Sequence, residues 1–287
     1  MKKILSLYGA PAQHWVGDGF PVKTLFSYQD KSISPFLLLD HAGPMKFSPT
    51  THKRGVSEHP HRGFETVTVV YHGEVAHKDS TGEQGVIGPG DVQWMTAGQG
   101  VLHEEYHSES FAHHGGMLEM MQLWVNLPQQ NKMTKPNYQT ITTAQIPTIN
   151  ISEQGSTLRV IAGEILGVSG PAKTHSPLIV MDGLIKATSH IALSITKGWT
   201  TIVVVRKGQI TINDQLAMTG QTMILSQEGT GLTLTAEEDA EVLIMAGEPI
   251  NEPIVGYGPF VMNSKTEINQ AITDFQSGQF GQLLHNN

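Results

Sequence analysis

The chain has 287 residues, of which 39% are hydrophobic and 15% charged, so it can bury a real core but cannot form long ion-paired helices or remain disordered. Its 18 basic and 26 acidic residues leave a net charge of −8, which argues against direct nucleic-acid binding. It contains no cysteine, which excludes disulfides, cysteine-ligated zinc and thiol catalysis.

The N-terminus carries Lys2 and Lys3 but no apolar signal segment, because Ser6, Tyr8, Gly9 and Pro11 interrupt it. The apolar runs at 36–39 and 202–205 are far too short to cross a bilayer. A cytoplasmic protein without membrane contact is expected. Residues 65–71, 121–125 and 200–205 are rich in β-branched and aromatic side chains and read as strands. Glycine-containing turns separate such segments, as at Gly73, Gly88-Pro89-Gly90, Gly208 and Gly220. Many short strands with such turns predict an all-β sandwich or barrel. Residues 127–148 are polar and hold Pro128, Pro136 and Pro147, which reads as an interdomain connection. Near the C-terminus, Ser264 and Glu267 form a capping-box pattern, followed by Ile268, Ala271, Ile272 and Phe275 at helical spacing. A helix is expected at about 264–277, with Gly278 as its stop.

An internal repeat divides the chain. Residues 59–66 align with 194–201, Gly73 with Gly208, Gly90-Asp91 with Gly220-Gln221, and Gly98 and Gly100 with Gly229 and Gly231. The expected organisation is therefore a barrel at 1–133, a linker at 134–148, and a second barrel at 149–287 that ends in the helix.

Histidine is concentrated in one half: 11 of 14 lie in residues 1–114. Residues i and i+2 of a strand face the same side. His59 and His61 can therefore reach one ion, and so can His103 and Glu105. Two such pairs on adjacent strands would supply three imidazoles and one carboxylate. That mixed set suits Fe(II), Mn(II), Ni(II), Cu(II) or Zn(II), with coordination positions left for water, dioxygen or a chelating substrate. Glu65 shares strand parity with His61 and can be a further ligand, a partner behind the ligands, or a salt-bridged strand residue. Glu104 should face away. The other histidines, His77 and His107 among them, read as ordinary core or surface residues, and His113-His114 as a solvated turn. The repeat places Ser194 and Thr196 where the first half has His59 and His61, so the second barrel should hold no metal.

The order His-x-His, Gly-Asp and a later His resembles the cupin superfamily. Residues 59–67, followed by Gly90-Asp91-Val92-Gln93-Trp94-Met95-Thr96-Ala97-Gly98, resemble the pirin family in particular. So do residues 123–127, 246–249 and 258–263. The resemblance implies two tandem cupin jelly-roll barrels with one iron held by His59, His61, His103 and Glu105, and it puts Glu65 behind the ligands. It also implies a flavonol (quercetin) 2,3-dioxygenase activity, with a flavonol-like aromatic and dioxygen as partners and Glu105 as general base. The alternative it leaves is an iron-dependent, redox-responsive regulator that binds a protein partner without turnover. Pocket walls are expected among Phe36, Phe64, Trp94, Met95 and Trp124.

Overall fold

The structure is a computed structural model that describes residues 1–283; His285 lies outside the described residues. Among these residues the regular structure is mostly antiparallel strand, with α-helices at Glu109–His114 and Lys265–Gln276. No helix among them is long and apolar enough to cross a membrane.

The chain forms two compact units, and each is assembled from separated stretches. One comprises residues 12–26, 37–143 and 251–287; the other comprises 1–11, 27–36 and 144–250. The contiguous division expected from the repeat therefore differs from the observed one. The N-terminal strand Ile4–Tyr8 pairs with Thr222–Leu225 of the later half. The C-terminal helix packs in the unit of the earlier half, where Ile268 and Ala271 join Leu102, Phe260, Met262 and Phe280 in one apolar cluster. Such exchanges depend on contacts distant in sequence, and neither a repeat nor a composition shift registers them.

Each unit pairs a seven-stranded with a four-stranded sheet. In the histidine-rich unit the larger sheet runs Asn137–Ile141, Val92–Thr96, Phe64–His72, Gly116–Asn126, Phe36–Phe47, Phe20–Ser27, His14–Val16. Its smaller sheet runs Gly55–His61, Val101–His107, Val75–Asp79, Gln84–Ile87. The segment expected to be a linker supplies Asn137–Ile141, an edge strand paired with Val92–Thr96. An edge strand needs few apolar side chains, so its polar composition concealed it.

The repeat is visible in the turns. Gly90 (φ 88°) donates its N–H to Val70 O at 2.8 Å, and Gly220 (φ 80°) donates to Val205 O at the same distance. Both sit in the left-handed region that only glycine occupies without cost. The interiors differ. In the second unit Ile191, Leu193, Leu232 and Leu234 alternate inward and are buried in one continuous aliphatic core. Ser194 and Thr196, which the repeat aligns with His59 and His61, are exposed.

The C-terminal helix is capped as its sequence requires. Ser264 Oγ accepts the Glu267 N–H at 3.3 Å, and Glu267 Oε2 accepts from the Asn263 N–H at 3.1 Å. Asp274 on its inner face forms a buried ion pair with Arg62 at 2.7 Å. Phe275, expected on the apolar face, is instead 38% exposed.

Candidate metal centre

The strands Gly55–His61 and Val101–His107 pair antiparallel with His103 opposite His59 and Val101 opposite His61. Directly opposed residues share a face. His59, His61 and His103 therefore converge, with ligand nitrogens all within 4.8 Å of one another. It is the only cluster of three or more histidine, aspartate or glutamate side chains among the described residues that could hold an ion.

The nitrogens are in the form a metal needs. Ser57 O lies 2.9 Å from His59 Nδ1, so this nitrogen donates to the backbone and Nε2 is the one left to serve as a ligand. His61 Nδ1 and both ring nitrogens of His103 are buried with no hydrogen-bond partner. Burial, with His59 as a second cause, holds the His61 and His103 imidazoles well below their ordinary pKa. They remain neutral and able to donate lone pairs. Orphaned buried polar atoms cost roughly 1–3 kcal/mol each, and an ion at the convergence point would relieve that cost. The donor set fits a divalent transition metal.

Glu105 lies two residues beyond His103, but a bulge intervenes: His103 faces His59, and Glu105 faces Val56. Its carboxylate stands outside the three-imidazole cluster and is held by Gln122, whose Nε2 lies 3.2 Å from each oxygen. Burial raises its pKa, against opposing effects of His59 and Gln122. Glu65 sits on the larger sheet, where Thr96 Oγ1 donates to its Oε1 at 2.7 Å. Burial pushes its pKa up to about 7. Glu104 points to the other side of its strand and meets Lys53 at 3.1 Å.

His77 was read as ordinary, yet it is buried opposite Glu105 in the sheet, and neither ring nitrogen has a partner. Its ring stacks on Tyr138 at 4.6 Å and 5°. Burial lowers its pKa to about 4. A signal was available: His77-Lys78-Asp79 repeats the i, i+2 pattern, and Asp79 lies opposite His103.

The residues named as walls divide. Phe64 and Trp124 pack against the His61 ring at 5.1 and 5.5 Å. Phe36, Trp94 and Met95 are fully buried core. The cleft that reaches Glu105 is lined instead by Phe20, Val22, Val56 and Met120, with Asp40 and Gln122 as polar members, and has a volume of about 10 Å³.

Two linked barrels, one with an aliphatic interior and the other with converging imidazoles, define a double-cupin protein with a candidate metal site in one barrel. The pirin family model matches residues 19–125, and the pirin C-terminal cupin domain matches 180–281. The chain belongs to the pirin family. It is 56% identical over 98% of its length, and 99% of the relative's, to a Pseudomonas aeruginosa protein provisionally named a quercetin 2,3-dioxygenase. It is 36% identical to human Pirin over 88% of this chain and 84% of that protein. A crystal structure titled quercetin 2,3-dioxygenase from Acinetobacter baumannii superposes with a TM-score of 0.96 at 55% identity, covering 99% of this chain and 100% of that one.

Proposed function

We propose that this protein is a metal-dependent oxygenase of the flavonol 2,3-dioxygenase type, with His59, His61 and His103 holding one divalent metal, best Fe(II), and Glu105 acting beside it. The observation that carries the reading is the convergence of three imidazoles, of which His61 Nδ1 and both His103 nitrogens are buried with no hydrogen-bond partner. The names given to the Pseudomonas and Acinetobacter relatives support the reaction class. When bound, the metal supplies Lewis acidity and redox chemistry toward dioxygen.

The protein's own groups do the rest. Glu105 takes the proton of the flavonol 3-hydroxyl at a carboxylate oxygen, and its burial raises its proton affinity above that of a solvated carboxylate. The Gln122 amide, 3.2 Å from both oxygens, keeps the carboxylate oriented. Phe64 and Trp124 fix the plane of the His61 ring. Phe20, Val22, Val56 and Met120 exclude water from the approach to Glu105. At about 10 Å³ that approach has room for about one water, so an aromatic substrate enters only as these side chains part.

The test is oxygen uptake on adding quercetin to Fe(II)-loaded protein, beside Glu105→Ala and chelator-stripped controls. Catalytic uptake that is lost in both controls is the expected result. No uptake from protein shown to hold one iron per chain would refute the reading and favour the redox-responsive regulator.

A further inference from the structure

In the four-stranded sheet the strand Val101–His107 lies between Gly55–His61 and Val75–Asp79. His103 therefore has His59 across from it on one side and Asp79 on the other. The register on the second side is chemically complementary: Asp79 stands opposite His103, and His77 stands opposite Glu105. All four side chains are buried. Directly opposed residues keep their Cβ atoms about 5 Å apart, within the joint reach of a carboxylate and an imidazole.

The two oxygens of Asp79 are used differently. Oδ1 holds the turn that follows the strand: it accepts the Thr81 N–H at 2.8 Å, the Thr81 hydroxyl at 2.8 Å and the Glu83 N–H at 3.0 Å. Three bonds to one oxygen fix the rotation of the carboxylate. Oδ2 is buried and has no partner, and the same is true of both ring nitrogens of His103. A histidine that binds a metal through one nitrogen almost always donates the other N–H to a carboxylate or a carbonyl. His59 has Ser57 O for that purpose. Opposite His61 stands Val101, whose side chain has no acceptor. Opposite His103 the acceptor is present, held in place and unused.

We propose that Asp79 is a positioning residue for the metal centre: its Oδ2 accepts the N–H of the His103 nitrogen that does not bind the ion, and so fixes the tautomer and plane of that ring. The imidazole turns about its Cβ–Cγ bond to make this contact as its other nitrogen takes up the ion. The inference rests on the reading that His59, His61 and His103 hold one metal, and it is independent of the reaction that follows.

The test uses Zn(II), a diamagnetic probe, titrated against a competing chelator. Asp79→Asn separates the two duties of the carboxylate. An amide has one acceptor oxygen, and the turn's N–H groups claim it, so the amide NH₂ replaces Oδ2 and presents a donor to a donor. Melting of the stripped variant should stay close to wild type, while its Zn(II) Kd should rise about 10- to 100-fold. Thr81→Val removes one bond to Oδ1 and leaves Oδ2 as it is, so it should lower the melting temperature and leave the Zn(II) Kd unchanged. Long-range ¹⁵N–¹H correlation spectra of the Zn(II)-loaded wild type should show a slowly exchanging proton on the non-ligating His103 nitrogen. In Asp79→Asn that proton should move upfield and exchange faster. Wild-type affinity in Asp79→Asn overturns the proposal, as does an equal loss in Thr81→Val. A wild-type spectrum in which that nitrogen carries no protected proton overturns it whatever the variants do. Wild-type protein that takes up no Zn(II) refutes the metal reading itself, whereas absent oxygen uptake by protein that binds the ion leaves this proposal standing.

Discussion

His103 stands directly across the antiparallel pair from His59, with ring centroids 4.2 Å apart. Neither has a second imidazole-binding partner that could replace an ion, since both His103 nitrogens are orphaned and His59 uses only Nδ1 locally. His103→Ala should therefore reduce bound metal from one per chain to near zero, as read by elemental analysis. In stripped protein the same change should alter thermal stability little, because it also removes two unpartnered buried nitrogens. Metal at a hundredfold excess over its Kd should stabilise the wild type by about 2.7 kcal/mol and leave the variant unmoved.

Glu65 gives a pH dependence whose sign is fixed. Its folded pKa, about 7, lies above the unfolded value of 4.5, so the native state binds the extra proton between these limits. Stability from this group is full below pH 4.5 and falls as pH rises toward 7, by about 3 kcal/mol at most. Thermal melts of stripped protein between pH 5 and 8 should show that decline, and Glu65→Gln should flatten it. Equal slopes in the two proteins would reject this assignment.

The Arg62–Asp274 pair ties the C-terminal helix to the strand end that carries His61. Breaking a buried pair by removing one partner costs roughly 3–5 kcal/mol, and Arg62 would also lose the anion that offsets its burial beside Phe280. Asp274→Ala should destabilise the protein by about 3 kcal/mol. Hydrogen exchange should rise in Lys265–Gln276 before it rises in the strands.

Gly85 makes room for His77. A methyl group there would lie 2.9 Å from His77 Nε2, against a ring already stacked on Tyr138. Gly85→Ala should cost about 1–3 kcal/mol in urea denaturation. Adding His77→Ala should recover part of that loss; additive costs would show that the two residues do not meet.

The shared face of His59 and His61 was legible because strand parity is local, whereas the approach of His103 depends on the register of a second strand, which places it opposite His59. The aliphatic core formed by Ile191, Leu193, Leu232 and Leu234 depends on strand pairing that the repeat does not show, but the repeat itself, with Ser194 and Thr196 in place of histidines, was legible. His77 was not, although its spacing to Asp79 obeys the same parity, because one histidine amid charged neighbours resembles a surface residue. Glu105 shares a strand face with His103 as its spacing implies, but its contact with Gln122, on a strand of the other sheet, depends on packing that leaves no mark in residue order. Asn137–Ile141 was missed because an edge strand can be polar. The exchange of termini was missed because it depends on contacts such as Ile4 with Leu225, more than two hundred residues apart.

That exchange orders events during synthesis. When a ribosome has made residues 1–143, every histidine of the cluster has emerged, yet Leu102 still lacks Phe260, Met262, Ile268 and Phe280, and Arg62 still lacks Asp274. The histidine-bearing unit is completed only by the last part of the chain to be translated. A nascent chain halted before the helix would present its imidazoles on an unfinished barrel, so the final arrangement of these rings belongs after release.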